Sequence, residues 1–151
     1  MKKYISGFTL IELMIVIAIV ACLSMISIPG LMRFLAKAKR TEAYTHLNTI
    51  AMAEKSYFAE HGSYSTILSG KDGIGWKPEG NFNYTYGFAG SEGQNNFVGQ
   101  LKAPASTLSG SYANNEGFKA IAVADIDGDG KSDRLSIDQQ GKITIEDDDL
   151  A

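Results

Sequence analysis

From Phe8 to Ile28 the chain runs through 21 residues in which only Glu12 and the thiol of Cys22 can ionise. At about 1.5 Å of rise per residue, a helix of that length crosses a hydrocarbon core of about 30 Å. The stretch therefore reads as a membrane segment, with one carboxylate a little over one turn inside its start. An acidic side chain at the centre of such a span costs about 2.5 to 3.5 kcal/mol on insertion scales and normally has a partner. Glu12 needs a cation.

Two ordinary readings of the segment fail. A secretory signal peptide has an apolar region of about 7 to 15 residues and a small-residue cleavage site; this run is longer and lacks a clear one. A plain single-pass anchor leaves the cost of Glu12 uncompensated. The run of Gly7, Phe8, Thr9-Leu10-Ile11-Glu12 behind Lys2-Lys3, with Pro29 near the end of the apolar stretch, resembles the N-terminus of type IV prepilins and of the related pseudopilins of type II secretion. The resemblance is specific over residues 1 to 30, weaker along the next 30 and without a sequence signal beyond about residue 65. It implies a leader (residues 1–7) cut by a prepilin peptidase after Gly7, and N-methylation of the new terminal Phe8. It also implies that Glu12 neutralises the amine of a neighbouring subunit in a fibre, with Pro29 part of the assembly helix.

The resemblance places the precursor in the inner membrane with its head outside the cytoplasm, and the assembled protein in an extracellular pilus or fimbrium. Charge bias alone points the other way, since Arg33, Lys37, Lys39 and Arg40 outnumber Lys2 and Lys3. That basic cluster has three readings: lipid head-group binding, pairing with neighbouring subunits, or a solvated helix face.

Composition bounds the rest. A chain of 151 residues is one small domain plus its membrane helix. Its formal charge of −3 does not favour nucleic acid as an obligate partner. Cys22 is the single cysteine, so no intrachain disulfide can staple the head, and within the apolar run it reads as a small hydrophobe.

After a kink or local melting expected at Pro29-Gly30, apolar residues at three-and-four spacing predict an amphipathic helix. They include Leu35, Ala43, Leu47, Ile50 and Phe58, and the helix should close near His61-Gly62. Residues 62–117 hold 11 of the 16 glycines and read as loops with short strands. In Phe82–Phe88 the alternating Phe82, Tyr84, Tyr86 and Phe88 predict one packing face, and a second short strand falls around Phe97–Leu101. Three antiparallel strands close the chain, marked by Ile121 and Val123, Leu135 and Ile137, and Ile143 and Ile145, and these apolar faces should bury the helix face built from Leu47, Ile50 and Phe58. The expected fold is α+β and pilin-like. Its long N-terminal helix (8–61) spans the membrane in its first half (8–28), and its amphipathic half packs on the C-terminal antiparallel sheet of a head at 62–151.

One further stretch carries chemistry. Asp125, Asp127 and Asp129 at loop positions 1, 3 and 5, Gly130 at 6 and Asp133 at 9 match the first nine positions of a calcium loop. Position 12 is Ser136 where an EF-hand has glutamate, and the flanks are strands, so a ligand must come from elsewhere. The competing reading is an acidic turn with Lys131 and Arg134 as counter-ions. Calcium is the only cofactor the chain suggests. His46 and His61 lack zinc spacing, and no nucleophile elbow, Walker loop or dinucleotide fingerprint is present, so catalysis is not expected. The function expected is a structural subunit of a type IV pilus-like filament, a homo-oligomer with a role such as motility or cell adhesion, built with prepilin peptidase and the inner-membrane assembly machinery. The alternatives are a pseudopilin or minor pilin of a type II secretion or DNA-uptake system, or a membrane-anchored calcium-dependent binding module.

Overall fold

A computed structural model describes residues 7–150; residues 1–6 of the expected leader, Lys2 and Lys3 among them, lie outside the described residues, as does Ala151. One long helix, α1 (Leu10–His61), opens the structure and is shared by two compact units that divide after Leu35.

In the first unit α1 carries its apolar side chains outward on every side. Phe8, Leu10, Ile11, Ile19, Leu23 and Ile26 are all more than half exposed. The helix is apolar all round, as a lipid-facing segment should be, and by length and composition it can cross a membrane. Helical structure continues through Pro29 and Gly30, so the local melting expected there does not occur. Proline deletes one internal hydrogen bond, a loss that a helix of 52 residues absorbs because each neighbouring turn keeps its own.

The second unit packs the rest of α1 on a six-stranded antiparallel sheet. Its strands are β1 (Thr85–Gly87), β2 (Asn96–Phe97), β3 (Tyr112–Ala113), β4 (Phe118–Ala124), β5 (Asp133–Asp138) and β6 (Ile143–Asp147). The spatial order is β2-β1-β4-β5-β6, with β3 also pairing with β4. Ala43, Leu47, Ile50 and Ala51 form the buried stripe of α1, at the three-and-four spacing of one helix face. Gly62, at φ 70°, ends the helix, its N–H donating back to the Phe58 carbonyl at 2.8 Å.

The register decides which strand residues meet the helix. Ala120 and Ala122 stand opposite Ile137 and Leu135, and these four share the core with α1. Ile121 and Val123 therefore point to the other face of the sheet, where they pack with Ala103 and Leu108. The expectation that Ile121 and Val123 would lie under the helix is thus corrected. Every residue of β4 except Lys119 is buried, so its period of two could not say which face was which, and alanines beneath a helix allow its close approach. Ile145 remains 38% exposed on the outermost strand, and Phe58, also expected in the core, stacks on Tyr64 at 4.5 Å near the rim.

Phe82, Tyr84, Tyr86 and Phe88 do share the core, although the paired strand there is only three residues long. The second expected strand shrinks to Asn96–Phe97. The surrounding segment is held by irregular hydrogen bonds. Trp76 donates its indole N–H to Thr49 Oγ1 at 2.8 Å, and Asn96 spans the carbonyls of Phe88 and Gly90 at 3.1 Å each.

Candidate functional site

Two places carry the candidate residues, one in each unit. At the first, Gly7 and Phe8 are exposed ahead of the helix and Thr9 is its N-cap. The Thr9 hydroxyl accepts from the Glu12 N–H at 3.3 Å, while Glu12 Oε2 accepts the Thr9 N–H at 2.9 Å and the Thr9 hydroxyl at 2.6 Å. This is a reciprocal capping box, Thr-x-x-Glu, and it satisfies two backbone donors that a helix start leaves open. Within hydrocarbon an unsatisfied backbone group costs several kcal/mol, so part of the cost of Glu12 is offset inside its own chain. Glu12 has a local partner as well as the need for a cation. The spacing of Thr9 and Glu12 before an apolar run was the signal for it. Among the described residues both of its side-chain bonds go to Oε2, and Oε1 receives no donor there.

In the second unit the acidic loop between β4 and β5 folds on itself. Asp125 Oδ1 and Oδ2 accept the Gly128 and Gly130 N–H groups at 2.7 and 3.0 Å, and Asp127 and Asp129 accept from Asp129 and Lys131. Gly130 takes φ 91°, a conformation open to glycine. The structure brings Asp125, Asp127 and Asp129 together with Asp149, one carboxylate oxygen of each lying within 4.8 Å of the others. Asp133 stands elsewhere. It opens β5 and is fully buried, bound by both Arg40 Nε at 3.0 Å and Arg40 Nη2, and by the Tyr84 hydroxyl at 2.6 Å. Because the chain leaves the loop as a strand, positions 9 and 12 cannot curl back as they do where a helix follows. The fourth carboxylate arrives from the end of β6 instead.

The basic cluster also divides. Arg40 turns inward to Asp133 and Asp148, and Lys39 donates to the Ile126 carbonyl at 2.7 Å. Neither residue is therefore available to lipid or to a neighbour, while Arg33 and Lys37 are exposed and form no salt bridge among the described residues. Sequence spacing could not separate the two pairs.

The class is defined by an apolar, capped N-terminal helix segment in one unit and, in the other, a helix packed on an antiparallel sheet. The comparisons specify it further. Residues 2–28 match the model of the prokaryotic N-terminal methylation motif. The chain is 36% identical over 121 residues to the type IV major pilin protein PilA of Myxococcus xanthus, covering 80% of this chain and 54% of that one. It is 36% identical over 80 residues to the type II secretion system core protein G of Pseudomonas aeruginosa, covering 53% and 56%. It is 43% identical over 68 residues to the prepilin peptidase-dependent protein D of Escherichia coli, covering 45% and 47%. The chain spans about half the length of the curated relatives it matches. In its prepilin-type N-terminus and α+β head the chain is similar to type IV pilins and to the pseudopilins. The match over 121 residues also carries similarity further along the chain than the sequence alone suggested.

Proposed function

We propose that this chain is the structural subunit of a type IV pilus-like filament. It is held in the inner membrane as a precursor, cut after Gly7, methylated on Phe8 and polymerised through α1 into an extracellular fibre. The observation that carries the reading is the exposed apolar surface of Phe8 and of α1 from Leu10 to Leu35, with Glu12 held in the capping box at its start. In the membrane lipid covers that surface; in a fibre the same surface of other copies replaces the lipid, and the assembly machinery mediates the exchange. The filament is then a homo-oligomer whose core is made of these helices, and the role is structural, without catalysis.

Glu12 would act twice. Its Oε2 stays in the capping box, and its Oε1 meets the charged amine of Phe8 on a neighbouring subunit. Removing one member of a buried ion pair costs roughly 3 to 5 kcal/mol because the other stays unpaired. Glu12→Gln keeps an acceptor for the cap and loses the charge, so it should insert normally and assemble poorly. Normal fibre yield from Glu12→Gln would refute the pairing.

The processing step is tested by intact mass. The exported chain should begin at Phe8 with one added methyl group, and a bulky residue at position 7 should leave it uncut. Recovery of the exported protein with Met1 in place would overturn the reading in favour of a membrane-anchored binding module. The similarity to a type II secretion core protein supports a second reading, a pseudopilin or minor pilin. Electron microscopy of purified surface material separates the two, since a major pilin forms long fibres made mainly of this chain.

A further inference from the structure

A cleft of about 330 Å³ opens at the C-terminal end of α1, between the helix and the segment at 71–75. Tyr57, Glu60 and His61 line it from the helix, and Lys71 and Asp72 from the segment opposite. Both walls are held in place. The Ile74 N–H donates to the Ile67 carbonyl at 2.9 Å and the Trp76 N–H to the Leu68 carbonyl at 2.8 Å, which closes the segment on itself. Trp76 then ties it back to the helix through its bond to Thr49. On the helix side the His61 ring lies flat on that of Tyr57, with centroids 4.0 Å apart and planes 13° from parallel. The contact of His61 Nδ1 with the Tyr57 carbonyl at 3.1 Å needs a proton on Nδ1, so Nε2 of the neutral ring is an acceptor. Glu60, Lys71 and Asp72 are exposed and form no salt bridge among the described residues.

We propose that this cleft binds a neutral saccharide, taking the terminal sugar of a polyhydroxylated chain. The mixture of groups selects the ligand. An anion would meet Glu60 and Asp72, and a cation would meet Lys71. A hydrocarbon would strip water from all three and return no hydrogen bond. A hydroxyl group both donates and accepts, so one sugar ring can donate to the two carboxylates and accept from the Lys71 ammonium. Such bonds to ionised groups are about twice as strong as neutral ones. The stacked Tyr57 and His61 rings supply an apolar contact, because a pyranose carries a patch of C–H groups that packs on the negative face of an aromatic ring. The size agrees, since small-molecule sites run from about 300 to 1,000 Å³ and this one falls at the lower end. Exposed Glu60 and Asp72 leave the mouth open for the rest of a longer chain. Walls already fixed by Trp76 and by the ring stack spare the ligand the cost of ordering them. The inference goes beyond a structural role and stands on the second unit alone, so it does not depend on how the chain assembles.

The test is saturation-transfer NMR, with amide shifts, on the full chain in micelles of a detergent that has no sugar head group. The probes are methyl β-glucoside, methyl β-galactoside, methyl α-mannoside and N-acetylglucosamine. At least one should take up saturation on its ring C–H protons and shift amides at 56–61 and 71–75. A dissociation constant of about 1 to 10 mM is expected for so small a ligand. Asp72→Ala, which deletes a charged acceptor, should weaken binding about tenfold. His61→Ala, which deletes one ring of the stack, should weaken it about threefold or more. Both positions are exposed, so each variant should melt with the wild type when followed by Trp76. Should either not fold, the other decides, and Lys142→Ala, outside the cleft, should bind as the wild type does. No saturation on any of the four probes, shifts confined to other residues, or wild-type affinity in a folded Asp72→Ala or His61→Ala would overturn the site. Tighter binding of butylamine or inorganic phosphate in the cleft than of any of the sugars would overturn the ligand class.

Discussion

Replacing Arg40 by methionine tests whether the head is organised around a buried ion pair. Arg40 reaches Asp133 through Nε at 3.0 Å and through Nη2, and the two side chains are 12% and 0% exposed. Methionine keeps much of the aliphatic stem and deletes the charge, leaving Asp133 with the Tyr84 hydroxyl at 2.6 Å and the Asp149 N–H at 3.3 Å. Breaking a buried pair on one side costs roughly 3 to 5 kcal/mol, and these two surviving donors put the loss near the lower end, at about 3 kcal/mol. The second contact of Arg40, with Asp148, adds little because the Asp148 side chain is 42% exposed. For a compact unit of this size one kcal/mol moves the midpoint by about 4 °C, so the melting temperature of the head should fall by roughly 12 °C. The assay is thermal unfolding of the full chain in micelles followed by fluorescence of Trp76, the single tryptophan, which is 7% exposed in the head core. Arg40→Met combined with Asp133→Asn removes the stranded charge and should recover at least about 1 kcal/mol over Arg40→Met alone. A loss of under about 1 kcal/mol in Arg40→Met, or no recovery in the double variant, would show that Asp133 is satisfied without its cation.

Glu54 is fully buried on α1, with Oε1 unpartnered among the described residues and Oε2 accepting the Ser65 N–H at 3.1 Å. Burial pushes its carboxyl from 4.5 up to about 7, against the opposing effect of that hydrogen bond. The folded state therefore holds a proton that the unfolded chain has already released. Its contribution is full below about pH 4.5 and is lost as pH rises to about 7, on the order of 2 to 3 kcal/mol in all. Melting measured from pH 5 to pH 8 should show this decline in the wild type and a flatter profile in Glu54→Gln; parallel profiles would sink the assignment. At Gly99 an added Cβ would sit 2.3 Å from the backbone carbonyl oxygens of Asn83 and Tyr84. Gly99→Ala should lower head stability by about 1 to 3 kcal/mol in denaturant titration, since backbone must move to admit the methyl group.

Much of the chain was legible because its signals are local. The apolar run, the amphipathic spacing of Leu47 and Ile50 and the alternation along the closing strands each repeat within a few residues. Hydrophobic burial acts on such faces wherever the chain goes. The α+β class follows from them, and the aromatic face of Phe82, Tyr84, Tyr86 and Phe88 was readable for the same reason. The Thr9–Glu12 box is equally local, a Thr-x-x-Glu spacing just ahead of the apolar run.

By itself the sequence determined the membrane-competent helix, the prepilin-type start, the packing stripe of α1 and the calcium-loop spacing of three aspartates. Only the tertiary structure decided that Asp149, not Asp133, joins them, that Arg40 and Lys39 turn inward, and that Ala120 and Ala122, not Ile121 and Val123, lie beneath the helix. Arg40 and Asp133 are 93 residues apart, and Ile126 and Asp149 are 23. Pairings at such separations leave no period in a sequence. They are set by strand register, where a shift of one residue exchanges the two faces of the sheet, and register is fixed by the packing of the whole head at once.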